Sequence, residues 1–343
     1  MRVGIIAPPW APVPPQLYGG IEQAIDWLAR GLQSAGHDVV LFTTGDSTSP
    51  VERRWLLESS EGYRMGYTVP ELRHVMAAYE QLDDVEVVHD HTVLGPVYAE
   101  RFPERKVLTT IHGPFNDELT DIYRRIADRV PIVAISNAQR AVVPDLPIAR
   151  VIHHGIDASA FPFGDGAGGY CLFLGRMNAD KGAHRAALAA RKAGVPLVMA
   201  GKCREPWEHA FFDQEIAPHL DDQIRYVGEV PHAEKVRLLA NAACTLFPIR
   251  WNEPFGLVMV ESLACGTPVL AFREGAAPEV IDHGRTGFLC DDESDMAEAV
   301  TAARDLDRAA CRAAVEGYFS MDRCVRDHVE LFEELLGRRA TPH

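Results

Sequence analysis

The chain has 343 residues, long enough for two domains with separate cores. Its composition, 47% hydrophobic and 24% charged, is that of a globular protein. The formal charge of −15 argues against a nucleic-acid partner held through phosphates and against a negatively charged membrane surface.

The first half alternates strand and helix. Residues 2–7 are predicted as a short apolar strand, followed by a Pro-rich loop over 8–16 and the pair Gly19-Gly20. From Ile21 the apolar positions Ile21, Ala24, Ile25, Leu28 and Leu32 recur at helical spacing and stop at Gly36. Further strands are expected at 39–43, 85–88, 107–111 and 132–135. The second half restarts this rhythm, with strands at 170–174, 197–200, 224–227, 244–247 and 269–272. Helices fall around 183–193, 233–242 and 257–264. Such alternation specifies an α/β fold of two doubly wound, Rossmann-like domains. The join lies near residues 155–169, whose Gly, Ala and Asp content is that of a flexible linker. Gly164, Gly166 and Gly169 there satisfy G-x-G-x-x-G by spacing, but they precede a strand, so a NAD fingerprint is rejected. Residues 322–336 place Val325, Val329, Phe332, Leu335 and Leu336 at helical intervals, the pattern of an amphipathic helix.

All seven cysteines lie in the second half, with no C-x-x-C, so neither a zinc site nor a disulfide framework is indicated. They read as small buried residues of a reducing compartment. The first residues carry too short an apolar run for a secretion signal, and no segment approaches the ~18 apolar residues of a membrane helix. A cytoplasmic protein is expected. A local basic patch is the route left for membrane association, and Arg124, Arg125 and Arg129 are one candidate at helical spacing, more simply read as a solvated face.

The most informative string is residues 252–269, NEPFGLVMVESLACGTPV. It sets Glu253 and Glu261 on either side of a helix start marked by Pro254 and Gly256. The apolar run after Leu257 surrounds Glu261, and a carboxylate in such a setting needs a partner. Ribose hydroxyls or a nearby arginine would each serve. The free N–H groups of the helix start suit a phosphate or sugar oxygen. Earlier in the chain, Gly175-Arg176 and Lys181-Gly182 follow one strand and precede a helix. A guanidinium and an ammonium converging there would neutralise a diphosphate. His112 ends a strand and is followed by Gly113, a position that faces the crevice of an open sheet. Near His89 the run VEVVHDHT places His89 or His91 at another strand end. A metal shared by His89, Asp90 and His91 is disfavoured, because successive strand residues point to opposite faces.

Taken in order, these motifs resemble the E-x7-E retaining glycosyltransferases, two-domain enzymes of the GT-B type that use nucleotide sugars. The resemblance runs from Arg2 to about Gly287. Gly275-Ala276 departs from the paired glycines the family often shows there, which weakens any backbone-contact assignment at that point. The resemblance implies two Rossmann-like domains facing a cleft. Residues 1–155, completed by a C-terminal helix over 322–343, would form the acceptor domain, and 156–321 the nucleotide-sugar donor domain. It implies that Arg176 and Lys181 hold the diphosphate and act in catalysis. Glu261 would hold the ribose, and Glu253 with Phe255, Gly256 and Leu257 the donor sugar. Gly19, Gly20 and Val230 would complete the donor site, and His112 would meet a sugar hydroxyl. The expected donor is a UDP-sugar, with no cofactor or metal and with retention at the anomeric carbon. The acceptor would be a small molecule, glycan or lipid. A likeness to actinobacterial oligosaccharide-antibiotic transferases of the avilamycin type points to natural products. A nucleotide-sugar epimerase or phosphorylase on the same scaffold, or a non-catalytic nucleotide-sugar-binding protein, are the alternatives.

Overall fold

The computed structural model describes residues 1–17 and 19–338. The chain divides into two compact units, Met1–Gly155 with Met321–His343 and Ile156–Ser320. Residues 339–343 of the expected C-terminal element lie outside the described residues.

The first unit has strands β1 Arg2–Ile6, β2 Asp38–Thr43, β3 Glu52–Trp55, β4 Val87–Asp90, β5 Val107–Ile111, β6 Ile132–Ala134 and β7 Ile148–Val151. They form one parallel sheet in the order β3-β2-β1-β4-β5-β6-β7. The second unit has β8 Cys171–Leu174, β9 Leu197–Ala200, β10 Ile224–Tyr226, β11 Cys244–Phe247, β12 Val269–Phe272 and β13 Gly287–Cys290. These too are parallel, in the order β10-β9-β8-β11-β12-β13. In each sheet the chain builds outward from its first strand, then crosses back to the other side. The strand order therefore reverses between β1 and β4 and between β8 and β11. At such a reversal the connections leave in opposite directions and open a crevice at the carboxyl ends of the two strands.

The helices that matter to the site are α1 Gly20–Ser34, α2 Thr68–Gln81, α3 Ala183–Ala193, α4 His232–Asn241, α5 Leu257–Ala264, α6 Ala277–Val280 and α7 Met321–Leu335. Helix α7 returns to the first unit and lies on α1. A β-carbon added to Gly31 of α1 would come within 2.7 Å of both Met321 and Val325. Cys324, Val325, Leu331 and Phe332 of α7 share one core with Val3, Ile5, Ile25 and Leu32. The second unit has its own core, in which the alanines of α3 pack against Phe173, Met199 and Leu246.

The α/β reading holds, with three additions and one correction. Strands β3, β7 and β13 are additions to the expected set, and all three are sheet edges. An edge strand has one strand neighbour and a half-covered surface, so its sequence (ERRW in β3) can stay polar. The correction concerns the Gly-rich stretch at 155–169. Gly164 N–H donates to Cys265 O, Gly166 N–H to Ala240 O and Gly168 N–H to Asn241 O, at 2.9–3.2 Å. A β-carbon on Gly164 would sit 1.9 Å from Ala240 O. These glycines permit close backbone packing within the second unit and are not a flexible linker.

Candidate active site

The phosphate-side candidates gather at the strand-order reversal of the second sheet. Arg176 and Lys181 follow β8, and Glu253 follows β11, its neighbour across that reversal. Lys181 Nζ lies 2.5 Å from Glu253 Oε2, with both side chains largely buried. The same carboxylate oxygen accepts a hydrogen bond from Trp251 Nε1 at 2.7 Å, and the Lys181 ammonium lies 5.3 Å from the Trp251 ring centroid. The loop carrying Lys181 is fixed by its own backbone. Lys181 N–H donates to Asn178 Oδ1, and Met177 N–H donates to Lys202 O. Gly182 then opens α3 at φ +80°, and a β-carbon there would meet Pro248 O at 2.4 Å.

Arg176 differs from its neighbours. Its Nε is buried without a hydrogen-bond partner, and the guanidinium forms no ion pair among the described residues. An enclosed cationic N–H without an acceptor is costly, and an anionic oxygen is the partner that best satisfies it.

The E-x7-E helix behaves as its sequence predicts. Gly256 caps α5 in the left-handed region at φ +81°. The side chain of Phe255 is buried, and Leu257 begins the helix, directing its first N–H groups out of the turn. Glu261, on the same helix, is 4% exposed. Its partner within the chain is not an arginine but Lys235 of α4, whose Nζ lies 2.6 Å from Oε1. Gly275, at φ +53°, lies against the Glu253 backbone, where a β-carbon would be 2.3 Å from its O and 2.4 Å from its N. Ala276 N–H donates to Glu253 O at 3.0 Å. Val230 lies half-buried in the loop before α4.

Gly19, Gly20 and His112 belong to the first unit. Gly20 begins the fifteen-residue α1, with Gly19 at its cap. The Gly19 position is crowded, since an added β-carbon would lie 2.5 Å from Pro15. His112 follows β5 and joins a cluster of imidazoles. Its Nε2 lies 2.8 Å from His91 Nδ1, and its ring stacks on His154 at 5.3 Å with a 9° interplanar angle. His89 of β4 and His91 just beyond its end lie side by side, with ring centroids 4.1 Å apart, and His328 of α7 lies 5.1 Å from His89. Asp90 points the other way, accepting from Tyr79 and from Thr92. Burial lowers the His112 pKa to about 3 and the His328 pKa to about 4. The His89, His91 and His154 values fall well below the ordinary range, again chiefly through burial and then through neighbouring charges. No group of three metal-ligating side chains with suitable geometry occurs among the described residues.

Sequence reading missed Trp251, Lys235, His154 and His328 as neighbours of these sites. Trp251 was within reach, being two residues from Glu253. Nothing local links Lys235 to Glu261, or His328 to His89, because only the folded chain brings them together.

Two domain families match the chain. Glycosyltransferase Family 4 covers residues 18–160, and Glycosyl transferases group 1 covers 165–311. With two parallel-sheet α/β units of this topology, the chain belongs to the glycosyltransferases of GT-B fold. It is 27% identical to a glycogen synthase of Mycobacterium tuberculosis, over 88% of this chain and 86% of that protein. It is 26% identical to a phosphatidyl-myo-inositol mannosyltransferase of Mycolicibacterium smegmatis, over 88% and 84%. Among solved structures it resembles AviGT4, a glycosyltransferase involved in avilamycin A biosynthesis, with 25% identity, 98% of each chain covered and a TM-score of 0.75.

Proposed function

We propose that this glycosyltransferase moves a sugar from a nucleoside-diphosphate sugar, with retention and without a required metal, to a glycan, lipid or natural-product acceptor. The observation that carries the reading is Arg176. Its enclosed, unpartnered Nε stands after β8 on the same loop as Lys181, where a diphosphate would satisfy it. Lys181 would exchange the Glu253 carboxylate for a phosphate oxygen, freeing Glu253 to accept a donor-sugar hydroxyl. Both cations then serve the reaction, because negative charge grows on the leaving diphosphate as the glycosidic bond breaks. Protein cations and helix N–H groups supply this stabilisation, so no metal is needed. Glu261 would share its carboxylate between Lys235 and the ribose hydroxyls. Phe255, Gly256 and Leu257 would present backbone groups to the sugar, with Val230 beside the base. Uridine is the nucleoside we assign. Of the acceptors, natural products fit the likeness to AviGT4, and glycan or lipid acceptors fit the two mycobacterial relatives.

Calorimetric titration with UDP, GDP, ADP and TDP, each with and without EDTA, tests the reading. One diphosphate should bind, unaffected by EDTA, and Lys181→Ala and Arg176→Ala should each weaken it roughly 10- to 100-fold, the worth of a charge-assisted hydrogen bond. Turnover of the donor should fall in Lys181→Ala and Glu253→Ala. Absence of binding by all four nucleotides, or equal turnover in wild type and both variants, overturns it.

A further inference from the structure

Lys181 and Trp251 donate to the same atom, Glu253 Oε2, at 2.5 and 2.7 Å. The other carboxylate oxygen, Oε1, accepts from no described residue. The Glu253 side chain is only 11% exposed, so water is a poor substitute for a donor lost from Oε2. The main chain here is held without either of these side chains. Glu253 N–H donates to Trp251 O at 2.8 Å, Ala276 N–H to Glu253 O at 3.0 Å and Arg250 N–H to Asp180 O at 3.2 Å. The last of these ties the loop of Trp251 to the loop of Lys181. The two side-chain donors therefore set the direction of the carboxylate and not the path of the chain.

The two donors are not equivalent. Lysine carries three N–H bonds on a flexible stem and can turn from a carboxylate to a phosphate. Its ammonium also lies 5.3 Å from the Trp251 ring centroid, an attraction that persists whichever anion it pairs with. The indole has a single N–H on a rigid ring, and that N–H is engaged with Oε2. Once Lys181 turns to a diphosphate, Trp251 is the donor left on Oε2. Without it, the departure of Lys181 would strand a largely buried carboxylate oxygen, and binding would be weakened by that cost.

We propose that Trp251 is a positioning residue for the transfer reaction. Its N–H holds Glu253 Oε2 while Lys181 changes partner, which eases capture of the diphosphate and keeps Oε1 free for the donor sugar. The proposal rests on the donor reading above, in which Lys181 exchanges Glu253 for a phosphate oxygen.

The test is a set of double-mutant cycles on the full chain, read by calorimetric titration with UDP, GDP, ADP and TDP. Trp251→Phe keeps an aromatic ring beside Lys181 and removes the N–H. In the wild-type background it should weaken the nucleotide that binds about tenfold, the scale of one hydrogen bond to a charged group. In the Lys181→Ala and Glu253→Ala backgrounds it should change affinity by less than about twofold, because no exchange is left to assist. A packing defect would instead weaken binding equally in all three. The indole proton gives a second reading. Of the five tryptophan Nε1–H resonances, that of Trp251 is the one missing from Trp251→Phe. It should lie downfield in the free protein, stay there at saturating nucleotide and move upfield in Glu253→Ala. Equal losses in the three backgrounds, no loss in wild type, or an upfield move on nucleotide binding overturns this proposal and leaves the donor site standing. Failure of all four nucleotides to bind overturns the donor reading, and this proposal with it.

Discussion

Glu253 is fixed from two sides: its carboxylate by Lys181 and Trp251, its backbone by Gly275 and Ala276. Gly275 is the position with no tolerance. Its φ of +53° already disfavours any other residue, and a β-carbon there would overlap the Glu253 main chain. Gly275→Ala should lower stability on the order of 2 kcal/mol in urea denaturation and weaken nucleotide binding through the displaced Glu253. By contrast, Ala276 needs no glycine, because it uses only its N–H. The histidines set a second expectation. His74, His89, His91, His112, His154 and His328 all have folded pKa values lowered chiefly by burial. The unfolded chain takes up their protons below about pH 6.5, whereas the folded chain does not until well below that. Their contribution is thus full above pH 6.5 and is lost as pH falls toward 4. Glu22 and Asp90, each raised to about 7 by burial, act in the opposite sense over the same window. Glu71 is raised by burial too, but His37, His184 and His232 are lowered like the six histidines above, so the urea midpoint should be lower at pH 5.5 than at pH 7.5. A midpoint that rises on acidification would show that the histidines are not buried as neutral rings.

At the scale of elements, α7 is the one whose place in sequence says least about its place in space. It follows the second unit in the chain but completes the first. Phe332 is fully buried there, in edge contact with His89 at 5.6 Å between ring centroids. Phe332→Ala should cost about 3 kcal/mol in denaturant stability, the usual penalty for emptying a buried aromatic site. It should also disturb the imidazole cluster, since His328 and His89 lose a shared neighbour. A loss below about 1 kcal/mol would mean that α7 is not part of that core.

For the whole molecule, the decisive feature is that one unit is continuous in sequence and the other is not. Residues 156–320 carry their own six-stranded sheet and core, together with Arg176, Lys181, Glu253 and Glu261. Expressed alone, this segment should fold cooperatively and keep the diphosphate affinity that Lys181→Ala removes. Residues 1–155 alone lack α7 and leave the apolar face of α1 and β1 uncovered, so they should not give a cooperative transition unless 321–343 is supplied. Circular dichroism melts of the two fragments check both statements. No helix among the described residues is long and apolar enough to cross a membrane.

Elements buried on both faces, and motifs confined to one turn or helix, are legible in the order of residues alone. Strands β9, β11 and β12 and helices α3 and α5 lie where their apolar runs place them, because a strand covered on both sides must be apolar throughout. The string from Glu253 to Glu261 is read within one turn and one helix, so its geometry needed no distant partner to be legible. Of the edge strands, β10 was legible in this way and β3, β7 and β13 were not. The tertiary structure alone decided which side chains meet: Lys181 with Glu253, Lys235 with Glu261, His328 with His89. These pairs are separated by tens to hundreds of residues, and periodicity reports only a residue's own face. The protonation of the histidines was decided there too, because desolvation depends on everything packed around a ring and not on its neighbours in the chain.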